Sequence, residues 1–456
     1  MSLSAAALSD LSALLGERLV LSQAVRDHHG HGESWHGVQA PEAVAFLKTA
    51  EEAQAVVALC AAHGVPMVPF GAGSSMEGQV QATAGGLCLD MSAMTAILAV
   101  RPEDMDCTVQ PGVTRQQLNE HLRAQGLFFP IDPGAEATLG GMASTRASGT
   151  NAVRYGTMRD VVLALEVVLA DGRRLRTGSR ARKSAAGYDL TRLMIGAEGT
   201  LGLITELTLR LFPIPEKQAA AICSFPSLEQ AVACVVATAQ CGVGMSRIEF
   251  ADRLQMRAIN AYSHTNFPES PMLFLEFAGS AAAVEAEIAT VRALADEHGG
   301  GGFAWAESEE DRRALWKARH SAAYAALALR PGCKGLATDV CVPISRLVDC
   351  LVETQKDLAT SPLPAPIAGH VGDGNFHLMI VFDPADPAEV AEAKRLDDAL
   401  GRRALAMEGT CTGEHGIGLG KRGLLALEAG EGVDVMRQIK AALDPKGLMN
   451  PGKIFL

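Results

Sequence analysis

At 456 residues, with 48% hydrophobic and 20% charged positions, the chain is globular and too long for one ordinary core, so two domains are expected. Its formal net charge of −12 argues against nucleic acid or an anionic membrane surface as partner, and an anionic substrate would need a local basic pocket. No apolar run is as long as a membrane span, and the first twenty residues, with Asp10, Glu17 and Arg18, lack the basic n-region of a secretory signal.

In chain order, Pro41 to Gly73 reads as strand, helix, strand and glycine loop. Thr49 and Glu52 form a predicted capping box, Val56, Val57, Leu59 and Cys60 are apolar helix positions, and Gly64 is the predicted C-terminal cap. Val65 to Phe70 is a short buried strand, and a second helix follows Thr114, with Gln117 as capping partner, and stops near Gly126. Asp171-Gly172 joins Leu163–Ala170 and Arg173–Thr177 as a hairpin. Leu203 to Phe212 alternates, with Leu207, Leu209 and Leu211 inward and Glu206, Thr208 and Arg210 outward. Pro213 and Pro215 then divide the chain into 1–214 and 215–456. Beyond them, strand Gln218–Ser224, helix Leu228–Gln240 and strand Met245–Phe250 are followed by strand Met272–Ala278, helix Ala281–His298 and strand Phe303–Ala306. Two such β-α-β units predict a ferredoxin-like sheet with helices on one face, so the fold class is α+β. Helices Glu389–Met407 and Val433–Leu443 follow. The ten cysteines contain no C-x-x-C pair, which excludes the usual iron–sulfur and zinc-ribbon spacings and points to reduced thiols in a cytoplasmic setting.

Two C-terminal segments carry the clearest chemistry: G-H-V-G-D-G-N-F-H (Gly369 to His377) and C-T-G-E-H-G-I-G (Cys411 to Gly418). A hairpin tip at Gly372–Asn375 would set His370 and His377 opposite one another on paired strands. With Glu414 they make a two-histidine, one-carboxylate set of the kind that holds a divalent metal with an open position; zinc and manganese both suit it. His415 is then a general base, a further ligand, or a group that supports a ligand from behind. Earlier, P-F-G-A-G-S-S-M-E-G (Pro69 to Gly78) is either a phosphate-binding loop or a strand-end turn, and is neither a Walker loop nor a Rossmann fingerprint. The small-residue stretch Asp132 to Asp160 is too long for a structureless loop unless it wraps something, and Tyr188 to Thr205 is a third glycine-rich motif.

In combination these three motifs resemble the FAD domain of the vanillyl-alcohol oxidase, or PCMH-type, flavoproteins. The resemblance implies a FAD-binding domain with its core at about 38–214 and assigns FAD contacts to Gly71, Gly73, Ser74, Ser75, Pro133, Gly134, Thr138, Gly141, Ser144, Gly149, Gly199 and Ile204. The first loop has no His or Cys, so the FAD is expected to be non-covalent; Arg146 replaces the usual small residue. W-K-A-R-H (Trp316 to His320), R-P-G-C-K-G (Arg330 to Gly335), T-D-V-C-V-P-I-S-R-L (Thr338 to Leu347) and L-D-P-K-G-L-M-N-P-G-K-I-F at the terminus resemble the FAD-linked D-2-hydroxy-acid dehydrogenases, above all their D-lactate-oxidising, quinone- or cytochrome-linked branch. That resemblance runs from about Arg26 to Phe455. It implies a C-terminal substrate domain, with Arg319 and Lys334 on the substrate carboxylate, His415 as base, and Asn450 reaching the flavin. It also implies an electron acceptor: a quinone, a cytochrome or an electron-transfer protein. Met379, two places after His377, favours a short apolar substrate over a dicarboxylate.

Other readings stand beside these. Arg319 on a helix is by default a surface ion pair, Asn450 a turn residue and Cys411 a packed thiol. His28, His29 and His31 are spaced too tightly for a good second metal site and read as structural or flavin-edge residues. A glycolate oxidase flavin subunit, a D-2-hydroxyglutarate dehydrogenase, a metal-dependent hydrolase and a non-catalytic flavin-holding subunit are the rival functions. Peripheral membrane association and a homodimer are both compatible with the resemblance.

Overall fold

The computed structural model describes every residue except Met1, Ser2 and Glu307. The described chain divides into two compact units, one of residues 1–148, 155–214 and 414–456, the other of residues 149–154 and 215–413. The expected boundary at Ile214–Pro215 is one edge of these units, but the units are not continuous in sequence: the last 43 residues return to the first unit, and Gly149–Arg154 leaves it.

The first unit holds two sheets. In one, strands lie in the order Leu19–Val20, Ala43–Phe46, Leu87–Asp90, Met67–Phe70, the last three parallel. Helix Ala50–His63 starts on the Thr49 side chain, which accepts the Glu52 amide, and ends on Gly64 at φ +68°. The Glu52 carboxylate also accepts the Lys48 amide and pairs with Arg18. Pro69 costs the sheet no hydrogen bond because it lies on the strand at the sheet end, where Met67 alone is paired on the outer side, with Leu448 and Asn450. The second sheet is antiparallel, in the order Ile97–Arg101, Asp106–Val109, Leu203–Arg210, Val162–Val168, Arg174–Arg176. Leu207, Leu209 and Leu211 enter its core with Leu118, Phe129, Met142 and Ile195. Each fully buried leucine contributes about 2 kcal/mol. Thr208 is buried too, contrary to the alternation, because its strand is central and its hydroxyl meets Thr108.

The second unit is built on an antiparallel sheet in the order Gly301–Ala306, Lys217–Ser224, Met272–Gly279, Arg247–Ala251, Ile367–Gly369, Asn375–Phe382, Lys334–Ala337. Its first four strands have the ferredoxin-like order, with helices Leu228–Gln240 and Ala281–Glu297 as crossovers. A helix, Arg253–Ser263, replaces the tight hairpin between the second and third strands in sequence. Helices cover both faces of this sheet rather than one. Met256, Ile259, Trp316, Ala322 and Ala325 pack on Met272 and Phe274, while Leu273, Leu275 and Phe277 are buried on the other side. That double burial is why strand Met272–Gly279 reads as an apolar run broken at Glu276, which is buried as well and pairs with Arg247.

Candidate functional site: a cofactor cradle and a histidine pair

The first unit brings the three glycine motifs together. A Cβ on Gly71 would lie 2.3 Å from the Thr138 hydroxyl, and one on Gly199 would lie 2.7 Å from the Pro69 ring. Only glycine permits these approaches, and Gly199 also stands at φ +69°. Ser144 and Glu198 are joined by a backbone hydrogen bond of 2.8 Å, which ties the second motif to the third. Thr138 caps the helix Leu139–Thr145 by accepting the Gly141 amide. Arg146 ends that helix at φ +58° and donates to the Ile195 carbonyl, so the unusual residue is accommodated as a left-handed cap. Ser75 Oγ is buried in the first loop with no hydrogen-bond partner, and the Cβ direction of Gly134 is open. A buried orphan hydroxyl in a glycine-rich loop fits a phosphate-bearing cofactor. Asn450 donates to the carbonyls of Gln79 and Glu198, so it braces two of these loops. Ile204 is buried on strand Leu203–Arg210. Gly149 is the exception: it opens the segment that packs with the second unit, where Asn151 accepts from Arg247.

In the second unit the hairpin forms, but His370 and His377 are not directly opposed. His377 faces Ala368, and a single 3-10 turn, Val371–Asp373, makes the tip. The two histidines are therefore diagonal neighbours on one face, with ring centroids 5.4 Å apart and planes at 79°. His370 Nδ1 lies 2.7 Å from Glu249 and His377 Nδ1 lies 3.0 Å from the Thr338 carbonyl. A carbonyl and a carboxylate only accept, so both Nδ1 atoms carry the proton and Nε2 is the ring atom that a metal would take. Asp339, fully buried, accepts from Asn375 Nδ2 at 2.7 Å and from the Thr412 hydroxyl at 2.7 Å. The chain at Thr412-Gly413 is thereby fixed to the histidine hairpin, and Glu414 is the next residue. One ligand atom from each of His370, His377 and Glu414 lies within 4.8 Å of the others, the one such group among the described residues. Two imidazoles and a carboxylate at that spacing fit a divalent ion.

His415 follows at once. Its carbonyl accepts from Gln79 Nε2 at 2.8 Å, and the amides of Ile417 and Gly418 donate to the Glu198 carboxylate at 2.7 and 2.9 Å. Burial pushes the Glu198 carboxyl up to about 7, against those donors and Lys453, and burial lowers the Lys453 ammonium to about 8. Arg319 is no surface residue: it is 8% exposed, in the last turn of helix Glu309–His320, and pairs with Glu249 at 2.5 Å. Lys334 is a correction. It is exposed and faces Phe382, five residues along the strand from His377, about 16 Å at an ordinary strand rise. It does not join the histidine pair. Met379 does lie on the His377 face, two residues on. Cys411 is a buried thiol. His29 is structural, bonded to Val25 and Asp90 through its two ring nitrogens, and His31 is exposed.

Sequence reasoning missed Glu249 and Glu198, and quoted Asp339 without giving it a role. The available signal was a charge where burial is expected: Glu249 between Ile248 and Phe250, Glu198 between Ala197 and Gly199.

Among known proteins, residues 41–178 match the FAD binding domain family and residues 214–454 match the C-terminal domain of the FAD linked oxidases. A probable mitochondrial D-lactate dehydrogenase of Danio rerio is 53% identical over 443 residues, covering 96% of this chain and 89% of the relative. The mitochondrial D-lactate dehydrogenase (cytochrome) of Arabidopsis thaliana is 46% identical, covering 98% and 80%. The crystal structure of p-cresol methylhydroxylase with substrate bound superposes with a TM-score of 0.83 at 19% identity, covering 98% of this chain and 96% of that one, which gives the fold. With its FAD-binding fold of the p-cresol methylhydroxylase type, this chain belongs to the FAD-linked oxidases.

Proposed function

We propose that the chain oxidises D-lactate, or a similarly small D-2-hydroxy acid, to the 2-oxo acid and passes the electrons to a quinone, a cytochrome or an electron-transfer protein. The observation that carries this reading is the His370, His377 and Glu414 group beside His415 in a FAD-linked oxidase chain. The names of the two relatives above support the substrate. Non-covalent FAD would supply the hydride acceptor. Zinc or manganese on His370, His377 and Glu414 would supply a Lewis acid that lowers the pKa of the substrate hydroxyl.

The chain's own residues do the rest. Arg319 holds the substrate carboxylate with a planar, permanently charged fork. His415 takes the hydroxyl proton, a role worth about 10²–10⁴-fold in rate. Met379 offers no partner to a second carboxylate, which would be desolvated there at a cost, so short apolar side chains are preferred. The ten free thiols fit a reducing compartment, the cytoplasm included. No helix among the described residues is long and apolar enough to cross a membrane.

Anaerobic mixing of the FAD-loaded protein with D-lactate, L-lactate, glycolate and D-2-hydroxyglutarate tests the reading. D-lactate is expected to bleach the flavin fastest; faster bleaching by the dicarboxylate overturns the substrate assignment. A strong chelator is expected to stop bleaching while FAD stays bound, and undiminished bleaching removes the metal from the scheme.

A further inference from the structure

We propose that Glu249 is a positioning residue whose single buried carboxylate orients His370 for a divalent ion and holds Arg319 for the substrate carboxylate, so that the two binding events are coupled. This rests on the reading of His370, His377 and Glu414 as a metal site.

The placement follows from strand register. Phe250 pairs with Gly369 and Ala251 with Ala368, which sets Glu249 beside His370 on the same face of the sheet. Glu249 is 0% exposed. One carboxylate oxygen lies 2.7 Å from His370 Nδ1 and the other 2.5 Å from an Arg319 terminal nitrogen. Each oxygen therefore faces a different donor, one just past the adjacent strand Ile367–Gly369 and one on helix Glu309–His320.

A plain structural ion pair would need only the arginine. The bond to His370 fixes the ring's tautomer and tilt and raises the basicity of Nε2, which is what a carboxylate behind a metal-bound imidazole does. Arg319, for its part, is not saturated by Glu249: its Nε is buried without a hydrogen-bond partner. A guanidinium with one edge fixed and another donor left unmatched is set up for a second anion, and the substrate carboxylate has that chemistry. Removing Glu249's charge would loosen both partners at once, whereas a residue serving only the fold would lower stability and leave metal affinity alone.

The test uses the full FAD-loaded chain and manganese(II) and zinc(II) titrations, with metal binding read directly by equilibrium dialysis and bound FAD as the folding control. Glu249→Gln keeps the shape and removes the charge; Glu249→Asp keeps the charge and removes the reach. Both are expected to weaken metal binding about 10–100-fold, and Glu249→Gln to raise KM for D-lactate more than it lowers kcat. Wild-type metal affinity in either FAD-containing variant overturns the inference and leaves the metal site standing. Absence of metal binding in the unmodified chain, or binding that survives His370→Ala, overturns the metal reading itself and the inference with it.

Discussion

Glu198 is buried at φ +51°, and its carboxyl is raised from 4.5 to about 7 by that burial. A carboxyl whose folded pKa is raised binds its proton more tightly folded than unfolded, so it subtracts stability as pH rises from about 4.5 to about 7, and subtracts the full amount above that. Lys453 titrates higher, near 8, and does not enter this window. Urea midpoints of the unmodified chain are expected to fall between about pH 5 and about pH 7.5 more steeply than those of Glu198→Gln. Parallel profiles would show that Glu198 does not titrate there. Gln also offers one acceptor to the two amides of Ile417 and Gly418, and a missing buried acceptor costs about 1–3 kcal/mol. The motif G-A-E-G-T-L-G marked this stretch as cofactor-related, yet Glu198's task was illegible because its partners lie 219 and 220 residues away. Glu249 was hidden in the same way: its arginine is 70 residues away and its histidine 121.

At the level of elements, local signals served well and register did not. Thr114 with Gln117 closes a full capping box, and Asp171-Gly172 turns a hairpin, because both motifs are completed within a few residues. The histidine hairpin was legible from Asp373-Gly374, but the 3-10 turn there shifted the pairing, so the two rings meet diagonally. Gly374 fixes that shift. It stands at φ +79°, and a Cβ would lie 2.1 Å from the Val342 carbonyl oxygen. Gly374→Ala combines a left-handed backbone with a contact to rigid main chain, and is expected to cost about 2–3 kcal/mol. Thermal unfolding checks the cost. Because the tip sets the diagonal of His370 and His377, the same variant is expected to bind manganese(II) more weakly, and an unchanged affinity would show that the hairpin tolerates a different tip.

For the whole molecule, division at the prolines was a natural reading of composition, since nothing in Glu414–Leu456 taken alone announces where it packs. The reason is physical: its pairing partners are main-chain groups and loops far back in the chain. Met67 donates to the Leu448 carbonyl and accepts from the Asn450 amide, extending the sheet edge that feeds the first glycine loop. Asn450 and Lys453 then donate to the carbonyls of Gln79, Glu198 and Gln81, and Asp444 orders the approach by accepting the amides of Leu448 and Met449. The loops that form the cofactor cradle are thus held from behind by the last thirteen residues. A chain ending at Leu443 keeps every glycine motif and every residue of the second unit, but loses this brace. It is expected to lose FAD on gel filtration, and calorimetry should show the transition of the first unit lowered while that of the second persists. FAD retained at one per chain with both transitions unchanged would mean that the glycine loops hold their geometry without the returning segment.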